Sequence, residues 1–232
     1  MKVGIMQPYF FPYIGYWQLI HAVDKFVIYD DVNFINRGWI NRNKILINGE
    51  AAYFHLSLLG ASQNRLICEI PVNPDNDWRQ KRIKALTMAY SKAPFFKAVM
   101  PMLESIIEYK SGNAAEYIGN LIKNICEYIG IKTQIIYSSD IEKDNTLHGQ
   151  DKILEICRIL GATTYINAIG GRELYSRETF EKNKIKLLFI NTKEIRYRQF
   201  RNEFVPNLSI IDVMMFNSPE VILQMLCECT FI

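Results

Sequence analysis

The chain has 232 residues, 49% hydrophobic and 22% charged, with a formal net charge of +3. That balance excludes a largely disordered protein, and the length suits one α/β domain with a sizeable core. The small positive excess does not by itself argue for nucleic acid, so no DNA partner is expected, although clustered charges would favour an anionic small ligand.

Lys2–Met6 predicts a first strand, Tyr16–Val23 a helix and Lys25–Tyr29 a second strand. This order opens a βαβ unit with parallel strands. Asp31–Asn43 has no helix or strand period and reads as a loop. Lys44–Ile47 and Ala52–Leu59 flank Asn48-Gly49, a hairpin signal because both turn residues tolerate positive φ. Leu66–Val72 reads as extended. Residues 77–130 are mostly helical, with breaks near Ala93-Pro94, Pro101 and Ser111-Gly112. Lys132–Tyr137 is a strand, and Gly149–Leu160 a helix with Ile153, Leu154, Ile156 and Leu160 on its core face and Gly161 as C-cap. Thr164–Asn167 is a strand leading into Gly170-Gly171, Leu174–Asn183 a helix and Ile185–Ile190 the last strand. Arg196, Arg198 and Arg201 alternate with Tyr197 and Phe200 as in a surface strand. Pro206–Phe216 and Pro219–Cys229 are closing helices with Pro at or near the first turn. The reading is a single α/β domain over residues 1–232 with a mainly parallel, Rossmann-like sheet. It carries a helical insertion at about 77–130 and a small C-terminal helical cap at about 192–232.

The five cysteines are scattered and odd in number, so neither a disulfide framework nor a zinc pattern emerges. Cys227-x-Cys229 has no second pair, and no metal is expected. Met1–Ile20 contains prolines and lacks the apolar stretch of a signal peptide, and no 18-residue apolar run exists. Membrane insertion is not expected, and the cytoplasm is the default compartment. Oligomeric state is left open. His21, His55 and His148 have no nucleophile beside them in sequence, and no Walker A, Gly-x-Gly-x-x-Gly or EF-hand pattern occurs. Lys81-Arg82 reads as part of a solvated helix face.

Four stretches carry chemistry. Gln7–Tyr16 follows the first strand at the carboxyl edge, where open parallel sheets bind ligands. The helix start there offers free N–H groups, Gly15 permits close approach, Gln7 and Tyr16 offer hydrogen bonds, and Tyr9, Phe10 and Phe11 offer stacking faces around Pro12. An aromatic packing corner is the equal alternative. Asp30-Asp31 ends the second strand; one carboxylate is expected to face a ligand and hold or deprotonate an amine, while the other fixes a loop. Arg37, Trp39, Asn41, Arg42 and Asn43 form a dense hydrogen-bonding loop suited to a nucleotide-sugar diphosphate, with a plain solvated loop as the alternative. Asn167–Arg172 follows an apolar strand, and its Gly170-Gly171 offers backbone N–H groups to an anion, or is a simple turn.

In position, the first turn resembles the strand–His-x-Gly-His–helix loop of adenylyl- and cytidylyltransferases. The aligned tetrad here is Tyr13-Ile14-Gly15-Tyr16, so both histidines are missing. The likeness speaks for a nucleotidyltransferase-like fold and the missing histidines against that chemistry.

The segments GIMQPYFFPYIGYWQLI, DKFVIYDDVNF, GWINRNKI, INAIGGRELY and FVPNLSIIDVMMFN stand in the order found in the WbqC-like family, which the chain resembles over nearly its whole length. Asn33 stands where that family often has Gln, and Asn167-Ala168 where Ser-Gly is frequent. The resemblance implies a transferase of bacterial surface-polysaccharide (O-antigen) biosynthesis. Such an enzyme would form an amide by moving a glycine-like amino acid or an acyl group onto the amino group of a dTDP- or UDP-linked sugar. ATP, acyl-CoA or aminoacyl-tRNA would serve the donor. A nucleotidyltransferase-like enzyme and a non-catalytic nucleotide-sugar-binding protein are the alternatives. The expected catalytic residues are Asp30, Asp31, Tyr16 and Gln7, acting by direct transfer without a covalent enzyme intermediate.

Overall fold

The computed structural model describes residues 1–200 and 203–232, so Arg201 lies outside the described residues. A six-stranded sheet organises the chain. Its strands are β1 (Lys2–Met6), β2 (Lys25–Ile28), β5 (Gln134–Tyr137), β6 (Thr164–Ala168), β7 (Lys186–Thr192) and β8 (Cys229–Phe231), in the order β5-β2-β1-β6-β7-β8. The first five run parallel and β8 joins β7 antiparallel. Counted by themselves, the parallel strands run 3-2-1-4-5, the doubly wound order whose direction reverses between β1 and β6. The expectation of a mainly parallel α/β fold holds.

Strand alternation explains why both faces are covered. Val3, Ile5, Val27, Tyr165, Leu187 and Phe189 point to a core shared with α5 (Gly149–Ile159) and α6 (Arg177–Lys182). Phe26, Ile28, Ile166 and Ile190 belong to the larger core on the other face, which includes α1 (Ile14–His21). Gly4 lies under α1, where an added Cβ would already touch Leu19 and Val23 at 3.4 Å. Six of the eight α1 residues are buried, among them Gln18, whose amide donates to the carbonyls of Met225 and Glu228 at 2.9 and 3.1 Å.

The same larger core takes in a separate hairpin, β3 (Arg42–Ile47) and β4 (Glu50–His55), turned by Asn48 and Gly49 at φ 52° and 83°. It also takes in α2 (Asp77–Tyr90), α3 (Phe96–Glu108) and α4 (Ala114–Ile129), the region expected to be helical, together with α7 (Ile210–Phe216) and α8 (Pro219–Leu226). α4 starts where Asn113 Oδ1 accepts from Glu116 N and ends on Gly130 at φ 90°. No helix among the described residues is long and apolar enough to cross a membrane.

Several expected boundaries move. α3 continues through Pro101, because its buried face of Val99, Met100, Leu103, Ile106 and Ile107 outweighs the lost hydrogen bond. α7 starts at Ile210 rather than Pro206: Asn207 has φ 56° and the Ser209 hydroxyl caps the helix at Ile211 N. Residues 227–232 do not extend the last helix but supply β8, so β7 is not the last strand. The 66–72 stretch contains a 3-10 turn at Ile67–Glu69, and a second 3-10 turn at Ile169–Leu174 leaves α6 only residues 177–182. Residues 193–200 are not a strand; Tyr197 turns inward to a buried Asp212. Of the expected solvated face of α2, Lys81 is exposed, whereas Arg82 is half-buried and donates to His55 O at 2.9 Å, and Arg79 is buried.

Candidate functional site

The turn after β1 is both a packing corner and a site wall. Phe10 and Phe11 are fully buried and meet Phe54 at ring-centroid distances of 5.6 and 6.2 Å. Phe11 adopts φ 45°, an uncommon conformation for a bulky residue, and needs its surroundings to hold it. Asn43 does so from β3: its Nδ2 donates to Phe10 O at 3.2 Å and Phe11 O at 2.9 Å. Pro12 O accepts from Trp17 Nε1 and Ile210 N, each at 3.0 Å. Asn43 is thus a positioning residue. Asn43→Ala should lower stability by roughly 1–3 kcal/mol, because two carbonyls lose their buried donor. Thermal unfolding checks this, and an unchanged midpoint would mean the corner holds itself.

Gln7, Tyr9, Tyr13, Gly15 and Tyr16 face a cavity of about 610 Å³ at the carboxyl ends of β1, β6 and β7, where the strand order reverses, whereas Phe10, Phe11 and Pro12, also expected to meet a ligand, do not line it. Gln7, Tyr9, Gly15, Tyr16, Trp39, Gly170 and Gly171 all line it, so three of the four expected stretches do converge. Asn167, which opens the expected Asn167–Arg172 stretch, lines it too, as do Tyr13, Tyr29, Leu174, Tyr175, Asn191 and Thr192, which were not among the expected site residues. The sequence signals for them are that Tyr13 stands in the tetrad aligned with the His-x-Gly-His loop and that Asn191-Thr192 are polar residues ending an apolar strand. An added Cβ on Gly15 would lie 2.5 Å from the Tyr13 ring and 2.7 Å from Thr192 Oγ1, so the glycine is required by close approach. The Tyr16 hydroxyl is committed to Gln7 O at 2.9 Å.

No ionised side chain among the described residues lines this cavity. Burial pushes the phenols of Tyr9, Tyr13, Tyr16, Tyr29 and Tyr175 upward, so they stay neutral. A neutral aromatic wall with amides on its floor suits a sugar ring or a nucleoside.

The arginine loop contributes differently from the expectation. Arg42 Nε donates to Gly38 O at 3.1 Å, its terminal nitrogen bonds Arg37 O, and its guanidinium lies 4.8 Å from the Tyr53 ring centre. Arg37 is exposed at φ 58°, and Asn41 O accepts from Leu56 N at 2.9 Å. Of this stretch, only Trp39 reaches the cavity, because Arg42 staples the loop on which Trp39 sits.

The two aspartates separate. Asp30 is 2% exposed and accepts from Ser139 N at 3.0 Å and Ser139 Oγ at 2.7 Å. It lines neither cavity and ties β2 to the chain after β5. Burial raises its pKa against the pull of those bonds. Asp31 lines a second chamber of about 600 Å³ together with Tyr29, Asn33, Cys68, His148, Gly149 and Lys152. Its Oδ2 pairs with Lys143 Nζ at 2.7 Å and Lys152 Nζ at 3.0 Å. Burial alone would raise the Asp31 pKa, but Lys143, Ser138 and Lys152 outweigh it and hold the carboxyl below its ordinary range. Burial pushes the Cys68 thiol up to about 11, so it is no thiolate at neutral pH. Tyr29 belongs to both linings and forms the boundary between a neutral cavity and a charged one. Lys143 and Lys152 were invisible in the sequence, since nothing local marks them as partners of Asp31.

A model described as the WbqC-like protein family matches residues 7–223. A relative from Mycobacterium tuberculosis (strain ATCC 25618 / H37Rv), the uncharacterized protein Rv1507c, is 28% identical over 215 residues, which are 92% of each chain. No solved structure matches.

Proposed function

The chain belongs to the WbqC-like protein family, and from that membership and its paired chambers we propose a transferase that forms an amide on the amino group of a nucleotide-linked sugar. The group moved is a glycine-like amino acid or an acyl group, and the setting is bacterial surface-polysaccharide synthesis in the cytoplasm. The observation that carries the reading is the neutral, aromatic cavity at the switch point, joined at Tyr29 to a charged chamber. The first suits sugar and nucleoside, with Gln7 and Asn167 offering amides and Trp39 a stacking face. With no cation among the described residues lining it, the diphosphate would be met by backbone N–H groups at the start of α1 and at Gly170-Gly171. The second chamber suits the reaction's charged partner. Of the two aspartates, only Asp31 lines a chamber, while both Asp30 oxygens accept from Ser139, so any contact with an amine falls to Asp31. The raised thiol of Cys68 favours direct transfer over a thioester enzyme.

Nucleotidyl transfer loses support, because Tyr16, standing where that chemistry uses a histidine, is buried with its hydroxyl committed to Gln7. The test is incubation with dTDP- and UDP-linked amino sugars, with glycine plus ATP, charged tRNA or acyl-CoA as donor, read by mass spectrometry. An N-acylated nucleotide sugar is expected. Tight nucleotide-sugar binding with no product from any donor would replace this reading with the non-catalytic one.

A further inference from the structure

The net charge of +3 conceals an uneven distribution. Residues 32–49 and 78–103 hold nine of the 27 lysines and arginines and none of the 24 acidic residues, so the rest of the chain is net acidic. The two segments meet in space. The first runs through β3, the second through most of α2, and Arg82 of α2 donates to His55 O of β4 at 2.9 Å.

The hairpin presents this charge on one side. Strand register sets Arg42 opposite His55 and Lys44 opposite Tyr53, which puts all four on one face. The other face carries Asn43, Ile45 and Phe54 into the core. Glu50, the acid of the hairpin, alternates onto the Phe54 side, so the outer face is cationic. Arg42 and Lys44 stand 4.8 and 5.3 Å from the centre of the Tyr53 ring, which stays 47% exposed, and the His55 ring is 5.7 Å from it. Arg42 closes its own loop yet keeps its charge. Arg37, Arg42, Lys44 and Arg82 have no ion-pair partner among the described residues. Burial, with Arg82 and Arg42, pushes the His55 pKa down, so at neutral pH it offers a ring rather than a charge.

Unpaired cations attract phosphates, and a half-open ring between them takes a base by stacking. A lipid surface fits this face less well, since Leu46, its large aliphatic residue, is 2% exposed and has nothing to insert. An acidic polysaccharide brings no base to stack. The loop before β3 leads from this face to the first cavity: Arg42 Nε holds Gly38 O, and Trp39, 42% exposed, lines the cavity.

We propose that the outer face of the β3–β4 hairpin binds a single-stranded RNA end, with its phosphates drawn by Arg42 and Lys44 and a base stacked on Tyr53. The inference deepens the proposed function by naming the donor as an amino acid esterified to RNA, and the choice of RNA over DNA rests on that reading. A strand stacked on Tyr53 and continuing along the loop would bring its terminal ribose to Trp39, at the cavity assigned to the sugar.

The experiment is titration of labelled uncharged tRNA, and of a short single-stranded RNA, with the intact protein, read by fluorescence anisotropy over a salt series. A blunt RNA duplex and phosphatidylglycerol vesicles are run beside them. Saturable binding of both single-stranded ends is expected at about 100 mM salt, with the duplex at least about tenfold weaker because its bases cannot stack on a side chain. Tyr53→Ala should weaken binding about tenfold or more. Lys44→Glu should weaken it about tenfold and reduce the slope of log affinity against log salt by about one. Circular dichroism checks that both variants fold, and the single-strand preference of the unaltered protein needs neither. Absence of saturable RNA binding overturns the proposal. So does a duplex or a vesicle bound as well as the single strand, or unchanged affinity in either folded variant. Nucleotide-sugar titration of the same sample reports on the first cavity, so its failure would sink the sugar assignment and leave RNA binding standing. Failure of RNA binding alone would leave the amide-forming reading with ATP or acyl-CoA serving the donor.

Discussion

Asp212→Ala is expected to lower the stability of the fold by roughly 3–5 kcal/mol, read as a fall of about 10 °C or more in the unfolding midpoint. Asp212 is fully buried on α7 and accepts from Tyr90 Oη at 2.9 Å, Tyr197 Oη at 2.6 Å and Gln199 Nε2 at 2.7 Å. Tyr90 Oη in turn accepts from Leu46 N at 2.9 Å, so the network ties α2, α7, β3 and the chain after β7 together. Removing the carboxylate strands three donors, each costing about 1–3 kcal/mol with partial relaxation. A midpoint shift under about 2 °C would show that these donors find other acceptors. The pH dependence follows from the same burial. Desolvation raises the Asp212 pKa, and the bonds from Tyr197, Gln199 and Tyr90 do not bring it back. Between the ordinary aspartate value and the raised native one, the folded protein keeps a proton that the unfolded chain has released. Stability should therefore be greatest below that window and fall as pH rises through it. Asp30 is raised in the same sense, so the difference between the unaltered protein and Asp212→Asn isolates the Asp212 part of the slope.

Gly15→Val is expected to weaken nucleotide-sugar binding about 10- to 100-fold while leaving the chain folded. A Cβ at this position already overlaps the Tyr13 ring and Thr192 Oγ1, and two further methyl groups enter the cavity beside Tyr16. Overpacking of this kind costs roughly 1–3 kcal/mol, and each 1.4 kcal/mol is about a factor of ten. Tyr13 is 36% exposed and can swing outward, so the strain falls on the site more than on the core. Circular dichroism would confirm the fold and calorimetry would read the affinity. Undiminished nucleotide-sugar affinity in a folded variant would remove the first cavity as the sugar site.

The parts legible in the sequence are those governed by neighbours along the chain. Short apolar runs marked β1, β2, β6 and β7, Asn48-Gly49 marked the hairpin, and Gly130 and Gly161 lie at helix ends with positive φ. Polar residues ending the strands pointed to the carboxyl edge as the place for chemistry. The errors fall where distant contacts override local preference. Pro101 stays inside a helix because one face of α3 is buried, Cys229–Phe231 becomes a strand because β7 offers an open edge, and Tyr197 leaves the surface for Asp212.

Composition, periodicity and turn chemistry determined the fold class and the sheet edge at which the polar and aromatic strand ends gather, because both follow from where apolar runs begin and stop along the chain. Tertiary structure alone decided the division of labour at that edge. Asp30 and Asp31 are adjacent in sequence, yet one answers to Ser139 and the other to lysines more than a hundred residues away. Arg42 looked like a phosphate ligand and closes its own loop, while Lys152 carried no local signal and lines the charged chamber. A side chain's charge is written in the sequence, but its partner is chosen by the packing that brings remote backbone segments within a few ångströms.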